Sequence, residues 1–245
     1  GPVSRATAYP PASKADLEET GRLVREAGGR FMGIEADIRD MAALRAAAER
    51  VRSEFGRLDI LFANAGIQVF APLLEMSDEQ WDDVIDINLT GSANTLRAFA
   101  PLMAEREYGR IIVTASGQGK RGLRNGSAYA ASKWGTIGFV KSVAKELGSY
   151  GNTVNTLVPG LILTPMTSNE TRMTEAYMDY RPPPSQPPSE EEVARVRAQH
   201  SPLGVPWLDP EEMAPMVVFL ASDAAAHITG SSFAVDAGAS SDFSG

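Results

Sequence analysis

The chain has no cysteine in its 245 residues, which excludes disulfide staples and thiolate metal sites. Histidine is almost as scarce. His200 and His227 are the only two, and both fall in polar segments where a surface position is the ordinary reading. A serine hydrolase would need one of them beside an activated serine, and no serine here sits in a G-x-S-x-G elbow. No constellation of metal ligands is visible. Long apolar runs are also lacking: none reaches the ~18 residues a spanning helix needs, and no charged-then-apolar leader opens the chain. These absences argue for a cytoplasmic protein with no membrane partner. Positive charge is in deficit, with 23 Lys and Arg against 31 Asp and Glu and a net charge of −8. No basic stripe is available to offset phosphate repulsion, so nucleic acid is not an expected partner.

What the chain does have is 43% hydrophobic residues in segments that alternate in period, enough for one large core. Ser13 and Asp16 form a capping-box signature opening a helix to about Gly28. F-M-G-I-E-A-D (31–37) reads as a strand, and residues 40–55 as a helix with Met41, Leu44, Ala48, Val51 and Phe55 inward. L-D-I-L-F-A (58–63) is the next strand. Ser77 and Gln80 cap a long helix that carries Asn88 and ends near Glu107. Strands 110–116, 152–158 and 231–237 alternate with helices 127–148 and 209–223. Such alternation implies an α/β fold, a doubly wound parallel sheet in one domain over 1–245.

Chemistry concentrates between Ser116 and Lys133. Ser116 ends the β-branched run R-I-I-V-T-A-S, a buried strand by pattern. Tyr129 and Lys133 stand four apart on one helical face. A phenol with its ordinary pKa of ~10 is a weak acid/base at neutral pH, and favouring the phenolate there takes roughly 3–4 kcal/mol. A neighbouring ammonium can supply part of that, while a strand-end hydroxyl holds a carbonyl or alcohol oxygen. The pair alone is a weak signal, since a Tyr and a Lys can share a helix face for no reason.

The surrounding order is specific. Ser116 precedes Tyr129 by thirteen residues. Asn88 stands in V-I-D-I-N-L-T-G. N-A-G (Asn64, Ala65, Gly66) follows L-D-I-L-F-A. Pro159 and Gly160 follow N-T-V-N-T-L-V, with Ile162 and Thr164 just beyond. In this combination the chain resembles the short-chain dehydrogenase/reductase family across most of its length. The resemblance implies a Rossmann-like sheet and hydride transfer between an alcohol and NAD, with NADP left open. Tyr129 would be the acid/base, Lys133 would tune it and bind the nicotinamide ribose, Ser116 would orient the reacting oxygen, and Asn88 would support a water-linked proton path to the lysine. For the rest of the cofactor, Asp37 would bond the adenine amine, Ile38 would pack on its ring, and Asn64, Ala65 and Gly66 would line the ribose side. Ile162 and Thr164 would grip the carboxamide, beside the Pro159–Gly160 turn. Asp37 has a plainer alternative, capping the helix that begins near Asp40. The family commonly pairs its Asn88-type and Tyr129-type helices across two-fold axes, which leads us to expect a homotetramer.

The family's opening strand, T-G-x-x-x-G-x-G turn, helix and second strand have no counterpart in the sequence. In the sheet order 3-2-1-4-5-6-7, the two missing strands fall between 31–37 and 58–63, a gap of about 10 Å at ~4.8 Å per strand. The natural expectation is an incomplete record of a longer chain. A short non-catalytic subunit unable to bind the dinucleotide, or strands supplied by another chain, stay open. Gly117–Gly122 matches G-x-G-x-x-G and follows a strand, but L-R-N-G-S intervenes before the next helix and no acidic strand end follows. A loop bordering the substrate pocket is the better reading.

Residues 161–209 interrupt the fold at a length typical of lids. Met166, Met173, Tyr177, Met178 and Tyr180 make this insertion apolar enough to close over a hydrophobic alcohol. With A-Y-A-A-S-K-W-G and V-P-W-L-D-P-E-E-M, it is similar to the carveol-dehydrogenase branch of the family, linked to the redox peptide mycofactocin. That resemblance implies terpenoid-like secondary alcohols as small-molecule substrates.

Overall fold

A computed structural model describes residues 7–241. Four parallel strands form its sheet in the order β1 (Ile60–Ala63), β2 (Gly109–Thr114), β3 (Asn152–Pro159) and β4 (Ser232–Val235). β2 and β3 are buried along almost their whole length, as expected for parallel strands covered on both faces. The polar residues of β3 are accommodated by specific bonds. Asn155 donates to the Ile228 carbonyl at 2.7 Å and accepts from the Ser231 N–H at 3.1 Å, and the Thr156 hydroxyl donates to Ser232 Oγ at 2.7 Å.

The helices follow the sequence signals closely. α1 (Lys14–Glu26) opens with the Ser13–Asp16 capping box, and α2 (Met41–Phe55) is capped by Asp40, whose carboxylate accepts from the N–H groups of Ala42 and Ala43. α3 (Asp78–Ile85) starts with the Ser77–Gln80 box. The predicted long helix then departs from regularity: Asp86–Gly91 is a π-helical turn, and α4 (Ser92–Ala104) resumes the α pattern. α5 (Ser127–Leu147) packs its small residues Ala128, Ser132 and Thr136 into the core, so its backbone lies close to the sheet. The insertion folds as two helices, α6 (Glu170–Met178) and α7 (Glu190–Gln199). α8 (Ala214–Ala221) precedes β4.

The strand predicted over 31–37 is corrected. That segment is extended but forms no ladder, because no strand among the described residues lies beside it to exchange backbone bonds. It is tethered at its ends instead: Phe31 covers Gly21 of α1, and Ile38 fills the space beside Gly91 in the π turn. On the other side of the interval, β1 is the sheet's edge, with Ile60 47% and Phe62 40% exposed.

Candidate active site

The end of β2 and the start of α5 create the site. Ala115 N–H extends the β2–β3 ladder with a 2.8 Å bond to the Leu157 carbonyl. Ser116 then leaves the sheet in extended conformation and its hydroxyl accepts from the Gln118 N–H at 3.3 Å. The Gly117–Gly119 turn lies directly on α5. A Cβ at Gly119 would fall 2.9 Å from the Lys133 carbonyl oxygen and 2.8 Å from Ile137, so only glycine permits this approach. The G-x-G-x-x-G match therefore packs against a helix rather than opening one. Ser116 and Gln118 line the neighbouring cavity.

That cavity, of about 490 Å³, gathers Ser116, Tyr129 and Lys133 with Asn64, Gly66, Pro159, Gly160, Ile162 and Thr164. A second cavity of about 710 Å³ holds Asp37, Ile38 and Ala65 and shares Gly66, Ile67, Thr164 and Met166 with the first. The two make one groove with a catalytic end and an Asp37 end. Each residue given a catalytic or cofactor role in the sequence analysis lines this groove except Asn88, which is fully buried behind it.

Asn88 acts on the groove's wall. Its Oδ1 accepts from the Ile67 N–H at 2.8 Å, and its Nδ2 donates to the Ile67 carbonyl at 2.9 Å and to Ser132 Oγ at 3.1 Å. One amide thus clamps both backbone groups of residue 67 and ties them to α5. Gly66 makes room, since a Cβ there would lie 3.1 Å from Asn88 Oδ1 and 3.6 Å from Lys133 Nζ.

Electrostatics differ from the sequence expectation. Lys133 Nζ lies 5.6 Å from the centre of the Tyr129 ring but donates at 2.9 Å to the Thr114 carbonyl. Burial pushes its ammonium down from 10.5 to about 8. Burial also pushes the Tyr129 phenol up, while a hydrogen bond with the Ser116 hydroxyl and the positive field of Arg172 pull it down. Desolvation outweighs these two, and the phenol stays above its ordinary value.

Asp37 is half-buried and engaged. Arg39 donates to it from Nη2 at 2.7 Å and also bridges to Asp83 at 3.1 Å. The Arg39 hydrogen bonds hold the Asp37 carboxyl below its usual range against the opposing effect of burial. The capping alternative for Asp37 is overturned, because Asp40 fills that position.

The sequence reading missed several groups here. Tyr9 lines the Asp37 end of the groove, and its hydroxyl accepts from the Gln68 N–H at 3.0 Å. Burial, the largest influence, pushes that phenol up to about 12. Gln68 Nε2 donates to Gln118 Oε1 at 3.3 Å on the wall of the Tyr129 cavity. Arg172, on lid helix α6, lines the same cavity. No sequence signal sets it apart, because the insertion also carries Arg181, Arg195 and Arg197. Of the lid's apolar residues, Met166 lines the cavity, whereas Met173 and Tyr177 pack with Leu161, Ala176 and Val193 in the lid's own core. Tyr180 stacks on His200 at 4.1 Å. Among the described residues no group of three or more His, Asp or Glu could hold a metal ion, and no helix is long and apolar enough to cross a membrane.

Comparison with known proteins gives a consistent set of relatives. A family model described as short chain dehydrogenase matches residues 8–175, and one described as Enoyl-(Acyl carrier protein) reductase matches 182–240. An uncharacterized NAD-dependent oxidoreductase of Mycobacterium tuberculosis is 37% identical, over 97% of this chain and 83% of its own length. A (-)-trans-carveol dehydrogenase of Rhodococcus erythropolis is 36% identical over 94% of this chain and 82% of its own. Among solved structures, carveol dehydrogenase from Mycobacterium avium in complex with NAD superposes with a TM-score of 0.89 at 35% identity, covering 98% of this chain and 85% of that one.

Proposed function

Because the chain belongs to the short-chain dehydrogenase family, we propose that it interconverts an apolar, terpenoid-like secondary alcohol and its ketone with NAD as the hydride carrier. The convergence of Ser116, Tyr129 and Lys133 on one cavity carries this reading. Relatives that are NAD-dependent by name or bound to NAD support the choice of dinucleotide.

The residues present fit such a cofactor. Asp37 and Ile38 would hold its adenine end, with Ala65 and Gly66 along the groove and Tyr129 and Lys133 at the nicotinamide ribose. Ile162 and Thr164 would meet the carboxamide beside Pro159 and Gly160, with Asn64 near by. A Cβ at Gly66 would lie 3.6 Å from Lys133 Nζ, so the glycine keeps this part of the wall open to close backbone approach. When bound, the dinucleotide accepts or returns the hydride.

The chain's own residues handle the proton. Ser116 holds the alcohol oxygen beside the phenol, and Tyr129 takes its proton during oxidation and returns it during reduction. A buried ammonium whose pKa is about 8 can pass a proton onward near neutrality, which suits Lys133 to connect Tyr129 with solvent. Asn88 is a positioning residue that fixes Ile67 and, through Ser132, the pitch of α5 against the groove. Residues 161–209 act as a lid, with Met166, Leu161 and Met213 giving the cavity apolar walls. Trp81 on α3 and Trp134 on α5 are 41% and 53% exposed, which supports pairing of these helix faces in a homotetramer.

The test is NAD reduction, followed by ultraviolet absorbance, over a panel of cyclic secondary alcohols with wild type and Tyr129→Phe. Turnover that vanishes in a folded variant supports the assignment. Comparable rates in both proteins would overturn it.

A further inference from the structure

Beyond its field on the Tyr129 phenol, Arg172 is a strongly basic group on the cavity wall to which the reaction described assigns no contact. Its guanidinium is buried, 5% exposed, and neither Nε nor Nη1 has a hydrogen-bond partner among the described residues. One face of it lies over the Phe70 ring, 5.4 Å from the centroid. Buried donors without acceptors are rare in folded proteins and call for a physical explanation.

The neighbouring carboxylates do not provide one. Glu175, one turn along α6, accepts from Asn125 Nδ2 at 2.9 Å. Asp179, a further turn on, is approached by Arg121 at 3.4 Å and Arg197 at 3.7 Å. Neither forms an ion pair with Arg172 among the described residues. Arg172 is thus left on the cavity wall with no ion pair to either carboxylate.

We propose that Arg172 is an anion subsite, and that the alcohol or ketone turned over here carries a carboxylate on its apolar body. This rests on the dehydrogenase reading and narrows its substrate class from plain terpenoid-like alcohols to hydroxy and oxo acids. A planar guanidinium is a fixed set of charged donors that suits a carboxylate. The apolar walls from Leu161, Met166, Met213 and Val217 take the hydrocarbon. Ser116 and Tyr129 meet the oxidised carbon at one end of the molecule, and Arg172 meets the acid at the other. The field that Arg172 exerts on the Tyr129 phenol places the two within electrostatic range across the same cavity. Burial lowers the guanidinium to about 10, a cost that an acidic ligand would offset.

Two measurements on the full chain test this. First, with NAD present, calorimetric titration compares cyclohexanecarboxylate with its uncharged analogue cyclohexylmethanol. The acid should bind at least about tenfold more tightly, as expected for hydrogen bonds to a charged partner. Arg172→Met should erase the difference and Arg172→Lys should retain part of it. Equal binding of acid and alcohol by wild type overturns the subsite, and this comparison needs no variant to fold. Second, a hydroxycyclohexane carboxylate and its methyl ester are compared as substrates. The acid should be preferred at least about tenfold in kcat/KM, mainly through KM, and Arg172→Met should collapse the acid-to-ester ratio. If both are oxidised equally, the subsite fails and the dehydrogenase stands. If the acid binds selectively but neither compound is oxidised, the subsite stands and the dehydrogenase reading fails.

Discussion

The scaffold around α5 and the lid around α6 border the same cavity but treat buried polarity in opposite ways. On the scaffold, Asn88, Ser132 and Thr136 are buried and bonded in sequence: Ile67 to Asn88, Asn88 to Ser132, Ser132 to the Tyr129 carbonyl, Thr136 to the Ser132 carbonyl. In the lid, Arg172 Nε and Nη1 and Glu175 Oε2 are buried without partners. A satisfied network fixes one arrangement, whereas an unsatisfied one favours a ligand that completes it. The bonded network of the scaffold holds geometry, whereas the insertion keeps buried polar atoms that have no partner among the described residues.

The largest expected effect that would break this contrast is on catalysis. Tyr129→Phe should lower turnover by about a thousandfold, within the usual contribution of general acid–base catalysis, while thermal unfolding moves little. A variant that loses stability as much as rate would show the phenol to be structural.

Next in size is Lys133, where burial is costly because the scaffold offers the ammonium only a carbonyl. The unfolded chain keeps that proton up to its ordinary pKa of 10.5, whereas the folded chain releases it near 8. The unfolded state therefore binds more protons in that window, and stability should rise with pH from about 8 toward 10. The full difference amounts to about 3 kcal/mol. Above pH ~10 the raised phenols of Tyr9 and Tyr129 act in the opposite direction. Chemical denaturation across this range should show the rise in wild type and its absence in Lys133→Met.

Asn88→Ala should cost about 2 kcal/mol, because the Ile67 N–H and C=O both lose their partner in a dry site. Activity at saturating substrate should fall with it as the groove wall loosens. A stable variant with normal KM for NAD would mean that the clamp is redundant. The smallest effect serves as a control remote from both regions. Asp40→Ala removes the cap of α2 and should lower stability by about 1 kcal/mol without altering KM or kcat.

The scaffold was legible in the sequence and the lid was not, for a physical reason. Ser116, Tyr129 and Lys133 sit at a strand end and at a four-residue helical spacing, local features that became specific through the family's motif order. The capping boxes at Ser13 and Ser77 are equally local. Arg172 depends on a tertiary accident, the angle at which α6 crosses the cavity, and no spacing encodes it. Tyr9 reaches Gln68 across 59 positions of chain, beyond any periodicity. The segment 31–37 has strand composition, but pairing belongs to two chains of residues at once, and composition reports on only one. The lysine's preference for the Thr114 carbonyl likewise depends on depth, which residue type does not disclose.

One consequence follows from the π-helical turn at Asp86–Gly91. Each residue of an ordinary helix advances the azimuth by about 100°, so a turn that accommodates one residue more acts as a phase shifter. On its near side Val84 and Ile87 point toward Tyr129 and Val69; on its far side Leu96, Ala100 and Met103 point toward β1 and β2. Deleting a single residue such as Thr90 would put the two halves in register with each other and out of register with their separate targets. The irregularity is the gear by which one helix serves two cores.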